Sequence, residues 1–264
     1  MTIDATAAIH PLAVIEPGAV VGPGCRIGPF CLVGPEVVLG EGVELKSHVV
    51  VTGWTEVGAG TVVFAHACLG EVPQDLKFRG ERTRLVIGAR NRIRENVTMN
   101  CGTEGGGGIT RVGDDGLFMA SSHVAHDCQI GNRVILANNV AIAGHCALED
   151  DVIVGGLSGV HQFVRIGRGA MIGAVTMVTA DVIPHGLVQG PRGVLDGLNL
   201  VGLKRRGADR GDLHALRDLL ADLGTGSFRD SARLRAEAGA DNSYVREVLE
   251  FILGPSDRSF LAPR

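Results

Sequence analysis

"AVVGPGCRIGPFCLVGPEVVLG", residues 19–40, repeats itself every six residues. Val21, Ile27, Val33 and Leu39 occupy equivalent places. A small or β-branched residue (Ala19, Cys25, Cys31, Val37) stands two positions before each, and glycine (Gly22, Gly28, Gly34, Gly40) follows directly. Outward from this stretch the rhythm runs from Ile9 to Leu69, resumes at Ile87, Ile93 and Met99, and continues from Val112 to Val178. Only Met99 and Phe118 among these rung residues are not Ile, Leu or Val, so composition alone does not produce the pattern. A period of six is neither the alternation of an open sheet nor the 3.6 of a helix.

Such a period is the signature of the hexapeptide parallel β-helix. Each hexad supplies one short strand and a tight turn, and three hexads close one triangular coil. The rung residue points into the prism, and the glycine after it is expected to supply the positive φ of the corner. Prisms of this kind are known as left-handed. The expected fold is therefore mainly β: a left-handed parallel β-helix over residues 1–196, followed by a small α-helical C-terminal domain, 197–264. With about 4.8 Å between coils, some nine coils make a prism roughly 40 Å long.

The helical expectation rests on Leu213, Leu216, Leu219, Leu220 and then Val245, Val248, Leu249, Ile252, which recur at helical spacing after the basic "GLKRRG" (202–207). Two polar segments, "EVPQDLKFRGERTR" (71–84) and "CGTEGGGGITR" (101–111), break the rhythm. Loops that interrupt a solenoid often carry binding groups. The four-glycine run reads as a flexible loop, because no strand–helix context makes it a phosphate cradle.

Bulk composition bounds the rest. The 39 glycines and 4% aromatics suit a thin-cored repetitive β structure. A net charge of −4 argues against general nucleic-acid binding. The N-terminus "MTIDATAAIHP" lacks a secretory pattern and no stretch is long and apolar enough for a stable membrane insertion, so a soluble cytoplasmic protein is expected. Six cysteines are then thiols. Cys25, Cys31, Cys128 and Cys146 fall on the small-residue position and read as core fillers.

Residues 18 apart stack on one face, so Val124, Ile142 and Val160 form one column. That column carries His123 and His126, then His145, then His161 and Gln162, with Gly144 stacked beside His126. Three readings follow. The histidines could be plain surface or subunit-contact residues. His123, His126 and His145 could be zinc ligands with an open position, as in a hydratase on the same prism. Or His126 is a general base, Asp127 adjusts its basicity, and the Gly144 N–H meets a developing oxyanion. The last accounts for the glycine as well.

Six segments carry a resemblance across essentially the whole chain: "IGPFCLVGP" (27–35), "EVPQDLKFRGE" (71–81), "RNRIRENVTMNCGT" (90–103), "HVAHDCQIGNRVILANN" (123–139), "GVHQFVRIG" (159–167) and "NLVGLKRRG" (199–207). Together they resemble the acyl-ACP–UDP-N-acetylglucosamine O-acyltransferases, the first acyltransferases of lipid A biosynthesis. The resemblance implies transfer of an (R)-3-hydroxyacyl group from acyl carrier protein to the 3-hydroxyl of UDP-N-acetylglucosamine. It implies a homotrimer with active sites between subunits, and no cofactor beyond the phosphopantetheine that carries the acyl donor. It implies no metal either. Carried onto this chain, His126 is the base and the Gly144 amide the oxyanion donor. Gln74, Asp75, Lys77, His123, His145 and Gln162 hold sugar and acyl groups, and Asn199 and Arg205 reach the nucleotide from the adjacent subunit. Ala174, where the family often has glycine, is expected to shorten the preferred acyl chain together with Met171. Val201 stands where the family usually has an acidic residue, and Pro73 where it often has a polar one. The carrier protein is acidic, so Arg165, Arg168, Lys204, Arg205 and Arg206 are candidates for its docking surface.

Overall fold

The computed structural model describes residues 2–224, 227–256 and 258–263. Its rungs are two- to five-residue strands, arranged in sheets of nine, eleven and nine strands. Pairing is parallel throughout, apart from Gly186–Gln189 against Val194–Leu198 at the C-terminal end. These sheets are the three faces of a left-handed parallel β-helix. Register follows the repeat: Val124 pairs with Ile142, and Ile142 with Val160. The two insertions stretch the interval without breaking the stack, Val57 pairing with Ile87 and Ile87 with Val112. The rung residues form one continuous core, with Val33, Leu69, Met99, Phe118 and Ile172 wholly buried.

The corner glycines behave differently from expectation. Gly22, Gly28, Gly34, Gly40 and Gly58 have no positive φ, and only Gly70, where the first insertion leaves, meets the expectation with φ 84°. The left-handed conformation falls two residues later, at Gly24 and Gly42 but also at Phe30, His48, His66, Asp127 and His145. What Gly22 and Gly28 require is room. A Cβ on Gly22 would lie 2.8 Å from Leu39 O, and one on Gly28 2.5 Å from Lys46 O, in the coil above. Close stacking of backbones, not dihedral freedom, selects glycine there.

The three edges differ in chemistry. Between the first and second faces the corners are charged, with Arg90 paired to Asp115 and Arg133 to Asp151, both at 2.7 Å. The edge between the second and third faces is apolar at both ends, where Leu12, Phe30, Leu157 and Val175 are each more than half exposed. Both insertions leave from the third edge, just before the corner that holds His126 and Asp127.

Strand Val194–Leu198 spans the 196/197 boundary expected from the sequence. Helices follow at Leu200–Arg205 (α1), Arg210–Leu223 (α2), Phe228–Glu237 (α3) and Ser243–Leu253 (α4). The helical spacing located α2 and α4, which bury Leu213, Leu216 and Leu219, and Val245, Val248, Leu249 and Ile252. Asp209 starts α2 with a reciprocal capping box to Asp212. The chain then returns to the prism, where Asp181 bridges to Phe260 and Leu195 to Pro263.

Candidate functional site

A groove of about 450 Å³ runs along the third face, lined by Gln74, His123, His126, Gly144, His161 and Gln162 beside the apolar Ala141, Ile142, Gly159, Val160 and Met177. The histidine column of the sequence is thus a physical strip.

At its edge His126 and Asp127 form the most constrained pair. Asp127 sits in the left-handed corner conformation (φ 60°), which turns its carboxylate back under the neighbouring ring. His126 Nδ1 lies 2.7 Å from Asp127 Oδ2. Asp127 also accepts from the Thr103 N–H (2.8 Å) and the Thr103 hydroxyl (2.6 Å). Both side chains are almost wholly buried. A carboxylate held by three donors leaves His126 Nδ1 as the protonated nitrogen, and Nε2 carries the free lone pair.

The glycine run builds this arrangement. Thr103 caps a short 3₁₀ turn over Glu104–Gly106. A Cβ on Gly106 would fall 2.1 Å from Asp127 Cγ, and one on Gly102 2.8 Å from Asp127 Oδ1. Beyond the expected loop, Gly106 of the run and Gly102 before it let backbone close directly over a buried carboxylate. Sequence reading missed Thr103 and Gly106, since neither obeys the repeat.

Gly144 lies against the exposed side of the base. A Cβ there would be 2.5 Å from His126 Cε1 and 2.7 Å from Nε2, so any larger residue would displace the ring. Among the described residues no acceptor takes the Gly144 N–H. His145 packs edge-on against His126, centroids 5.0 Å apart, and stacks flat on Phe163 at 4.4 Å. Burial pushes the His145 imidazole below its ordinary range, with Asp127 opposing. Burial likewise lowers His123, whose Nδ1 lies 2.7 Å from the Thr98 hydroxyl. Both rings are therefore neutral at pH 7.

Zinc through His123, His126 and His145 does not match this geometry. The donors that come within 4.8 Å of one another belong to His126, Asp127 and His145, while His123 faces Thr98. Asp127 is already engaged by Thr103 and His126. A metal there would have to break the bond that orients His126.

The remaining expected residues divide. Gln74 lines the groove, and Asp75 and Lys77 lie close enough to His145 to act on its charge. Met171 is on the second face and Ala174 on the second edge, so one chain does not bring them to His126; Met177, unforeseen, lines the groove instead. Asn199 caps α1, accepting from the Gly202 N–H and donating to Gly169 O. Arg205 is exposed. Three of the basic candidates are already engaged within the chain: Arg165 pairs with the buried Asp181 at 2.8 Å, Arg168 with Glu247 at 3.2 Å, and Arg206 donates to His185. The four core-filling cysteines are buried free thiols, and burial raises Cys128 well above its ordinary range.

Comparison with known proteins points to one family. A family model for Udp N-acetylglucosamine O-acyltransferase, Domain 2, matches residues 181–261. An acyl-[acyl-carrier-protein]–UDP-N-acetylglucosamine O-acyltransferase of Paracoccus denitrificans is 84% identical over 202 residues, 76% of this chain and 77% of that protein. One of Rhizobium johnstonii is 50% identical over 264 residues, 99% of this chain and 97% of that protein. Among solved structures, the UDP-N-acetylglucosamine acyltransferase of Campylobacter jejuni superposes with a TM-score of 0.90 at 37% identity, covering 97% of this chain and all of that one. The UDP-N-acetylglucosamine acyltransferase of Arabidopsis gives 0.83 at 33% identity, covering 96% and 99%. With its prism, its histidine strip and these relatives, the chain belongs to the acyl-[acyl-carrier-protein]–UDP-N-acetylglucosamine O-acyltransferase family.

Proposed function

We propose that this chain moves an (R)-3-hydroxyacyl group from acyl carrier protein to the 3-hydroxyl of UDP-N-acetylglucosamine, with His126 as general base. One observation carries the reading: Asp127 holds His126 by Nδ1, so that Nε2 looks onto Gly144 in an apolar-walled groove. Nε2 takes the proton of the sugar hydroxyl as its oxygen attacks the thioester carbonyl carbon. The Gly144 N–H receives the charge that develops on the carbonyl oxygen. Collapse breaks the carbon–sulfur bond, and the His126 imidazolium returns the proton to the leaving phosphopantetheine thiolate. Asp127 remains ionised and stabilises the imidazolium in between. The chain's own groups supply every proton, so the reading uses no metal or cofactor.

The edges of the prism support a homotrimer. The charged first edge suits water. The second edge carries exposed Leu12, Phe30, Leu157 and Val175, flanked on the second face by the outward ladder Leu117, Ile135, Ile153 and Met171, which Arg92 separates from Val62. Three such edges meeting on a threefold axis bury these side chains, with the second face of one subunit against the third face of the next. The same packing carries Met171 and Ala174 of one subunit toward the groove of its neighbour, where they and Met177 would bound the acyl chain. Exposed Arg205 would meet the diphosphate, with Asn199 fixing the helix that carries it. Lys204 and Arg205 remain as docking cations for the acidic carrier protein, which makes its KM salt-dependent. No helix among the described residues is long and apolar enough to cross a membrane, and the reading places the reaction in the cytoplasm.

Acyl transfer from 3-hydroxyacyl-ACP is the direct test, for the wild type and His126→Ala, each with and without a chelator. The expected outcome is activity indifferent to the chelator and reduced about 10²–10⁴-fold by the substitution. Loss on chelation with recovery in zinc would replace the base by a metal.

A further inference from the structure

His161 lines the groove two coils beyond the candidate base, and a residue 97 positions away reaches it. Arg258 Nη2 lies 2.8 Å from His161 Nδ1 and 2.8 Å from the Gln162 carbonyl oxygen. A guanidinium has donors only, so Nδ1 must accept, and the proton of the ring stands on Nε2. The alternative, Nδ1–H donating to Gln162 O, is offered a longer 3.3 Å contact, and the arginine already occupies that carbonyl.

The tail that carries Arg258 is itself anchored. Asp181, wholly buried, accepts from the Arg165 N–H and Nε at 2.8 Å each and from the Ser256 hydroxyl at 2.7 Å. Ser256 Oγ in turn accepts from the Arg258 N–H at 3.1 Å. The Asp181 N–H donates to Ser259 O, and the Leu261 N–H to Asp181 O. Three of these hydrogen bonds, all to Asp181, clamp the tail to the end of the prism on either side of Arg258, and the guanidinium is delivered rather than merely nearby.

We infer that Arg258 is a positioning residue for His161, fixing it as a neutral imidazole whose Nε2–H donates into the groove toward an oxygen acceptor of the bound substrates. This deepens the acyltransferase reading and rests on it for the ligand; the tautomer itself does not. Within the groove, His126 then offers a lone pair and His161 a hydrogen, two rings of one column set to opposite roles by different partners, Asp127 and Arg258.

The test is a double-mutant cycle on kcat/KM with full-length enzyme: wild type, Arg258→Ala, His161→Ala and the double variant. The expected result is a loss of about tenfold for Arg258→Ala, as for one hydrogen bond, with the double variant no worse than His161→Ala. Losses that multiply would overturn the proposal, because they would mean that Arg258 does not act through His161. Arg258→Lys, which keeps one donor, should recover part of the rate; a loss equal to that of alanine counts against it. Two-bond ¹H–¹⁵N spectra of the histidine-labelled wild type judge the tautomer without any turnover, the His161 signal being the one absent from His161→Ala. An Nε2–H tautomer is expected, and an Nδ1–H tautomer sinks the idea. A wild type without acyl transfer would instead remove the functional reading and leave the tautomer result standing.

Discussion

Asp127 and His126 share one corner, yet they owe their relationship to the left-handed backbone of the first and the burial of both. The neighbouring rings His123 and His145 are held neutral by burial, with a consequence for stability. An unfolded histidine takes up its proton near pH 6.5. Folded, these two bind theirs only at lower pH, so below about 6.5 the unfolded chain holds more protons. Stability therefore rises with pH across that window and is lost as pH falls toward the folded values. Melting temperature compared between pH 7.5 and pH 5.5 should drop in the wild type and drop less in His123→Gln. An unchanged difference would mean that His123 is not among the groups responsible.

The insertion around the four-glycine run is an element whose sequence looked slack and whose structure is tight. Backbone can approach a carboxylate this closely only where no Cβ intervenes. Gly106→Ala, with its new methyl 2.1 Å from Asp127 Cγ, should therefore displace the carboxylate and lower kcat about tenfold or more. Gly105→Ala, one residue away and facing open space, should leave the rate within about twofold. Equal rates for the two would show that the loop does not set the base. Helices tell the opposite story. The leucine spacing of α2 and the Val–Leu–Ile spacing of α4 announced them, whereas α1 and α3 have only one buried residue each, Leu203 and Ala232, and left no stripe to read.

On the scale of the whole molecule, the prism presents one charged edge, one edge holding the His126–Asp127 pair beside the groove, and one edge that is apolar at both ends. Leu157 on the apolar edge is 66% exposed in the single chain. Leu157→Asp should shift the protein toward monomer in analytical ultracentrifugation at micromolar concentration and cost acyl transfer with it, because a charge buried on a threefold axis meets two copies of itself. A trimer unchanged by this substitution would place the axis elsewhere.

Periodicity by itself determined the prism, its three faces and the column of histidines, because a hexad needs only its own residues and the coil 18 positions away to define its place. Composition of the rung positions, and of the small-residue positions two before them, likewise settled the core and the buried cysteines. Only the tertiary structure decided which partners set the column's chemistry. Thr103 reaches Asp127 from within an insertion, Met177 closes the groove from three coils beyond His123, and Arg258 comes back from the far end of the chain. The corner glycines, too, took their meaning from the neighbouring coil rather than from their own dihedrals. Translational repetition makes a stack legible from one strand of text. Contacts that break the repeat arise from where the chain folds back, and no spacing in the sequence encodes that distance.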